Sequence, residues 1–170
     1  TALAYCLTNS GTLSAARQYA LAGNGMSNLK FTNSGTVTAR DETVKLTDLS
    51  GAVVINNSGT ISATQNFPSL YPDPDATSYA MQFSEATGVE TSIAFTNAAS
   101  GTISSTGGTA LSFVGFDGGS DSVTFTNSGS IIAGGDNAVD LTGANVVSMT
   151  NQSGATISAG GNYALLVDGL

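Results

Sequence analysis

Apolar residues alternate with outward-facing ones in short bursts along the whole chain. Leu29 with Phe31, Val53 with Ile55, Ile93 with Phe95, Val123 with Phe125, and Val147 with Met149 each bracket a single intervening position. A few residues later Val37 with Ala39, Ile61 with Ala63, Ile131 with Ala133, and Ile157 with Ala159 repeat the pattern. A third set opens each unit: Val44 with Leu46, Met81 with Phe83, Leu111 with Phe113, Val139 with Leu141, and Leu165 with Val167. A period of two is the mark of a strand with one buried face, so each burst predicts a short strand.

Between the first and second sets stands one phrase in six copies. It reads Leu7-Thr8-Asn9-Ser10-Gly11-Thr12-Leu13, Phe31-Thr32-Asn33-Ser34-Gly35-Thr36-Val37 and Ile55-Asn56-Asn57-Ser58-Gly59-Thr60-Ile61. It returns as Phe95-Thr96-Asn97 with Gly101-Thr102-Ile103, as Phe125-Thr126-Asn127-Ser128-Gly129-Ser130-Ile131, and as Met149-Thr150-Asn151 with Gly154-Ala155-Thr156-Ile157. The asparagines Asn9, Asn33, Asn57, Asn97, Asn127 and Asn151 are spaced by 24, 24, 40, 30 and 24 residues. One unit of three short strands cannot enclose a core, but stacked units can, each strand pairing with its equivalent in the next. The pattern therefore predicts an all-β fold, a right-handed parallel β-helix with 24 residues and three strands per coil. A sandwich or propeller needs hairpins and has no use for like residues at this interval.

At the corner, each asparagine is expected to bond the asparagines above and below and to take up a left-handed conformation. The glycine that follows is expected to relieve the next corner position. Asn9, Asn33, Asn57, Asn97, Asn127 and Asn151 are thus a structural ladder and not a site.

Breaks in the rhythm divide a single domain, residues 1–170, with insertions at 64–76, 84–92 and 114–122. The longest holds all three prolines (Pro68, Pro72 and Pro74) together with Phe67, Leu70, Tyr71, Asp73 and Asp75. Stiffened backbone and aromatic contact area make these five residues the candidate binding loop. Asp117 and Asp121 lie in a glycine-rich insertion as weak calcium candidates. Two carboxylates fall short of the roughly six to eight oxygens that calcium takes, so no metal or other cofactor is expected. Thr12/Ser14, Thr36/Thr38, Thr60/Ser62, Thr102/Ser104 and Thr156/Ser158 predict two outward files of hydroxyls, broken at Ser130 and Ile132. Such files make ice binding a minor alternative, although threonine also suits any solvated strand face.

Charge narrows the function further. Only 9% of residues are charged, the net charge is −8, and Arg17, Lys30, Arg40 and Lys45 are the only basic residues. Residues 46–170 carry ten carboxylates and no cation, which argues against nucleic acid as a partner. With no histidine and no cation after Lys45, nucleophile–base pairs and arginine clamps have no residues to use. The expectation is that the chain is not an enzyme. Lys45, Gln82, Ser112 and Asp140 share one outward slot of the opening strand and predict scattered polar residues without a converging cluster. Cys6, the single cysteine, falls on an outward position and is expected to be covered where another chain or segment abuts the first coil. No apolar run is long enough for a membrane helix.

The repeated Thr-Asn-Ser-Gly-Thr-Ile-Ser-Ala phrase resembles the passenger regions of bacterial autotransporters and related large surface adhesins. The likeness spans essentially the whole chain and implies a right-handed β-helical stalk. It implies an extracellular or cell-surface location, on a Gram-negative bacterium, with no membrane insertion by this segment. A host-surface or glycan ligand is the expected partner. Because residues 1–9 start inside a coil and residues 163–170 stop just after an opening strand, so are further coils, either copies stacked head to tail or flanking sequence of a longer solenoid. The alternative is a carbohydrate-active β-helix that binds or cleaves polysaccharide.

Overall fold

A computed structural model describes residues 5–65, 78–116, 120–143 and 147–168. Among these residues eighteen strands follow one another without a helix. The first two rungs comprise β1 (Tyr5–Asn9), β2 (Thr12–Ser14), β3 (Leu21–Asn24), β4 (Leu29–Asn33), β5 (Thr36–Ala39) and β6 (Glu42–Leu49). Next come β7 (Gly51–Asn57), β8 (Thr60–Ala63), β9 (Tyr79–Glu85), β10 (Thr91–Asn97), β11 (Thr102–Ser105) and β12 (Thr109–Val114). The last two rungs are β13 (Ser122–Asn127), β14 (Ser130–Ala133), β15 (Val139–Thr142), β16 (Val147–Asn151), β17 (Thr156–Ala159) and β18 (Leu165–Asp168).

Every strand pairs with the strand three places on, giving three six-stranded sheets: β1-β4-β7-β10-β13-β16, β2-β5-β8-β11-β14-β17 and β3-β6-β9-β12-β15-β18. All the pairings are parallel, and like positions stand over one another, Asn9 on Asn33 on Asn57 in the first sheet and Val37 on Ile61 on Ile103 in the second. The fold is a parallel β-solenoid with three strands to a rung, as the repeats predict.

The inward positions form columns that run along the axis. One holds Leu7, Phe31, Ile55, Phe95, Phe125 and Met149; another holds Gly23, Leu46, Phe83, Phe113, Leu141 and Val167. Phe95 stacks on Phe125 with ring centres 5.4 Å apart, and Phe83 on Phe113 at 5.1 Å. The two columns meet edge to face, Phe95 against Phe113 at 5.9 Å. Ring pairs in these geometries add to the stabilisation that comes from area alone.

The asparagine ladder forms as expected. Nδ2 of each asparagine donates to Oδ1 of the one above, from Asn9 to Asn33 at 2.8 Å, Asn33 to Asn57 at 2.9 Å, and Asn57 to Asn97 at 2.8 Å. It continues from Asn97 to Asn127 at 2.9 Å and from Asn127 to Asn151 at 2.8 Å. The same amide also reaches the corner backbone, as when Asn57 Nδ2 donates to the Gly59 carbonyl at 3.1 Å. Asn33, Asn97 and Asn127 have no exposed surface.

Two expectations about the corner need correction. The ladder asparagines do not use left-handed backbone; among the described residues the non-glycine ones with positive φ are Asn28 and Asp48, both at 52°, at a different corner. Nor does the corner glycine serve a special φ at Gly35 or Gly59. A Cβ on Gly35 would sit 2.0 Å from the Gly11 carbonyl oxygen, and one on Gly59 2.0 Å from that of Gly35. At these corners the glycine is there because the rung beneath leaves no room for a side chain, whereas Gly154 of the last copy does take a positive φ, 85°.

The opening strand departs from the expected alternation. Thr43 and Val44 are both buried, as are Ala80 with Met81, Ala110 with Leu111, and Ala138 with Val139. Two consecutive inward residues mark a bend in each rung, and the alternation restarts after it. The opening strand of the first rung, β3, also lacks an apolar alternation because Gly23 occupies the column of Leu46 and Phe83. Met26 fills the vacancy: its Cε lies 2.2 Å from where a Gly23 Cβ would be.

Replacing Asn97 by alanine removes one amide donor and one acceptor from a buried ladder, leaving partners unsatisfied at a cost of about 1–3 kcal/mol. Asn151→Ala, at the exposed end, should cost less than about 1 kcal/mol. Urea unfolding of the two variants beside the parent chain measures the difference; equal losses would contradict a ladder that is cooperative through its interior.

Candidate functional surfaces

The solenoid offers outward faces, corners and two axial ends. On the outer face of the second sheet the hydroxyl files form in the expected register. Thr12, Thr36, Thr60, Thr102, Ser130 and Thr156 make one file; Ser14, Thr38, Ser62, Ser104, Ile132 and Ser158 make the other. Ser104 donates to the Ser62 hydroxyl at 3.1 Å, so part of this file is bonded along the axis. Ile132 stands out of it, 42% exposed.

A polar group not foreseen from the sequence lies on the outer face of the third sheet. Lys45 Nζ bonds both oxygens of Glu42 at 3.2 Å and stands 5.4 Å from the centre of the Tyr19 ring. Residues three apart on a straight strand face opposite sides, but the bend at Thr43 and Val44 turns Glu42 and Lys45 outward together. Tyr19, Ala22, Gly23, Asn24, Lys45 and Thr47 line a shallow open groove here. Higher on the same slot, Gln82 is half-buried and Ser112 is buried, so the slot is not uniformly exposed. Asp140 accepts from Thr142 Oγ1 at 2.5 Å and is held on its own rung.

Electrostatics tie Tyr19, Glu42 and Lys45 together. Burial raises the Tyr19 phenol above its usual range, and the Glu42 carboxylate raises it further. Burial by itself would lower Lys45, but the charge and hydrogen bonds of Glu42 outweigh it and raise the ammonium pKa above 10.5.

The two calcium candidates separate. Asp117 lies outside the described residues. Asp121 is fully buried, its Oδ1 accepting the Thr91 backbone amide at 2.6 Å while Oδ2 has no hydrogen-bond partner among the described residues. Thr91 Oγ1 in turn donates to the Leu49 carbonyl at 3.1 Å, so Asp121 closes a chain of bonds across neighbouring rungs. Among the described residues no three His, Cys, Asp or Glu side chains gather to hold a metal ion. The loop candidates Phe67, Leu70, Tyr71, Asp73 and Asp75 all lie outside the described residues. Cys6 is an exposed free thiol in the single chain, on the outward position the repeats assign to it. No helix among the described residues is long and apolar enough to cross a membrane.

At the axial ends the internal columns come to the surface. Val37 and Ile61 are fully buried, whereas Leu13 below them is 36% exposed. Val139 and Leu141 are fully buried, whereas Leu165 and Val167 above them are 42% and 38% exposed. Comparison with known proteins returns no matching family model, and no curated protein or solved structure matches the chain significantly.

The Tyr19–Glu42–Lys45 group generates a pH prediction. A raised folded pKa means that the folded state holds its proton more tightly, so stability is present below the unfolded value and falls as pH rises through the folded one. Both raised groups act in this direction, above the ordinary values of 10.0 for Tyr19 and 10.5 for Lys45. Thermal melts across this alkaline range should show a decline in the parent chain that is shallower in Glu42→Gln. At neutral pH the variant should lose no more than about 1 kcal/mol. Identical alkaline slopes would contradict the coupling.

Proposed function

We propose that this chain is an extracellular structural and adhesive protein of a bacterial surface, its solenoid serving as a rigid stalk or fibre segment. The observation that carries the reading is the unbroken axial bonding: three sheets and the asparagine ladder run through all six rungs. Backbone hydrogen bonds of a solenoid point along its axis, so each rung is held to the next by three strands at once. A pull along the axis loads them together. The repeated Thr-Asn-Ser-Gly-Thr-Ile phrase adds the resemblance to autotransporter passengers and large adhesins, and with it the expectation of a Gram-negative cell surface.

In this reading the stack supplies reach and stiffness while its insertions supply contacts, since binding residues on a rigid scaffold concentrate in loops. The insertion with Phe67, Leu70, Tyr71, Asp73 and Asp75 is the proposed contact point for a host-surface or glycan ligand. Fusing the chain to a bacterial outer-membrane translocator and measuring adhesion of the displaying cells to glycan-coated surfaces tests this directly. Adhesion should rise on display and fall about tenfold, equivalent to about 1.4 kcal/mol, when residues 66–75 are replaced by a short glycine–serine link. Unchanged adhesion in the replaced chain would remove the loop from the reading. Cleavage of acidic or neutral polysaccharides by the purified chain would favour the carbohydrate-active alternative.

A further inference from the structure

We propose that copies of this chain stack head to tail, β1, β2 and β3 of one copy docking in register on β16, β17 and β18 of the next. The inference deepens the stalk reading and rests on it: at about 4.8 Å per rung, each stacked copy would lengthen the solenoid by six rungs, about 29 Å.

The match between the ends is specific. Extending the observed registers by one rung puts Leu7 on Met149, Asn9 on Asn151, Thr12 on Thr156, Leu13 on Ile157, Ser14 on Ser158 and Leu21 on Leu165. Nine residues separate Thr12 from Leu21, and nine separate Thr156 from Leu165, so two of the three strands line up without adjustment of the connecting loop. The half-exposed apolar residues Leu13, Leu165 and Val167 would be covered as their internal counterparts already are.

The corner needs more care, because five residues separate Asn151 from Thr156 and only three separate Asn9 from Thr12. The molecule already contains this junction. The corner from Asn97 to Thr102 is also five residues long and lies beneath the three-residue corner from Asn127 to Ser130. There Ser128 N bonds the Asn97 carbonyl at 2.8 Å, Ser130 N bonds Gly101 at 3.0 Å, and the amide ladder passes through at 2.9 Å. The corner at Asn151 has the same internal bonds: Ala155 N to Gln152 O at 3.0 Å matches Gly101 N to Ala98 O at 2.8 Å.

Polarity fixes the direction. All the ladder amides donate from lower to higher residue number, so Asn151 offers its Nδ2 upward and Asn9 presents its Oδ1 downward. Head-to-head contact would set acceptor against acceptor and turn the strands antiparallel; head-to-tail contact continues both ladders. Charge favours the same direction, since Arg17 is the one charged residue of the first rung and Asp168 that of the last. Such a contact uses two different surfaces and does not close, so it grows an open filament.

Two features of the end make a decisive experiment. A Cβ on Gly11 would meet nothing within 4 Å in the single chain, yet its counterpart Gly129 already meets the Gly101 carbonyl at 2.2 Å and the Ala98 carbonyl at 2.4 Å. Gly11→Val should therefore fold normally and block docking. Cys6 lies in the column of Lys30, Val54, Ala94, Thr124 and Ser148, so stacking places it beside Ser148 of another copy. Neighbouring strands about 4.8 Å apart are within the Cα span of roughly 4.4–6.8 Å that a disulfide needs.

The 170-residue chain carrying Ser148→Cys should give, on mild oxidation, a ladder of covalent multimers on non-reducing gels. Electron microscopy of the parent chain should show filaments that lengthen with concentration. Thr150→Cys, in the column of Thr8, should give no ladder above the parent chain. Gly11→Val combined with Ser148→Cys should lose the ladder while keeping the β circular dichroism and the melting temperature. Short monodisperse rods with no Ser148→Cys ladder would overturn self-stacking and assign these edges to flanking coils of the same polypeptide. So would a ladder that survives Gly11→Val. Retained adhesion of displayed cells in that event would leave the stalk reading standing.

Discussion

Each corner asparagine passes one amide proton to the asparagine above and receives one from below, and that exchange is possible only if every rung rises by the spacing of paired strands. The side-chain ladder and the three backbone ladders therefore impose the same rise and the same register on the stack. A slip of one residue would put polar residues into the columns of Phe95 and Phe113 and break the asparagine file at once. Rungs differ greatly in length, with 40 residues between Asn57 and Asn97, yet the amide contact there is 2.8 Å like its neighbours. The corner keeps its geometry whatever the length of the rung.

This constraint explains why a composition poor in charge and rich in small polar residues is sufficient. In a parallel in-register stack each residue faces its own equivalent, so like charges would repel at every step while Asn, Ser, Thr and apolar side chains gain from self-contact. The corner glycines Gly35, Gly59 and Gly129 obey the same rule more strictly, because the carbonyl of the rung below occupies the space of a side chain.

Much of this was legible in the sequence because stacking writes itself as identity at fixed intervals. The inward columns and the six asparagines could be named from the repeats alone. What escaped was whatever depends on bends within a rung. The first opening strand was hidden because Gly23 has no side chain and Met26 reaches into its place from outside the alternation. The pairing of Glu42 with Lys45 was hidden because period two puts them on opposite faces, and only the double inward step at Thr43 and Val44 brings them together. The corner glycine was visible, but its reason was not: close approach is a property of two rungs and not of one peptide. The burial of Asp121 was hidden because the Asp and Gly around it suggest no more than a weak calcium loop, whereas the strand start at Thr91 draws its carboxylate inside.

The central claim is that a continuous, buried asparagine ladder sets the register of the solenoid, and side-chain amide NMR tests it most directly. The Nδ2 protons of Asn33, Asn57, Asn97 and Asn127 should exchange with solvent as slowly as the strand backbone amides. They should also show nuclear Overhauser contacts to the next asparagine, across separations of 24, 40, 30 and 24 residues. Rapid exchange of these amides, or the absence of contacts across the 40- and 30-residue separations, would contradict the account.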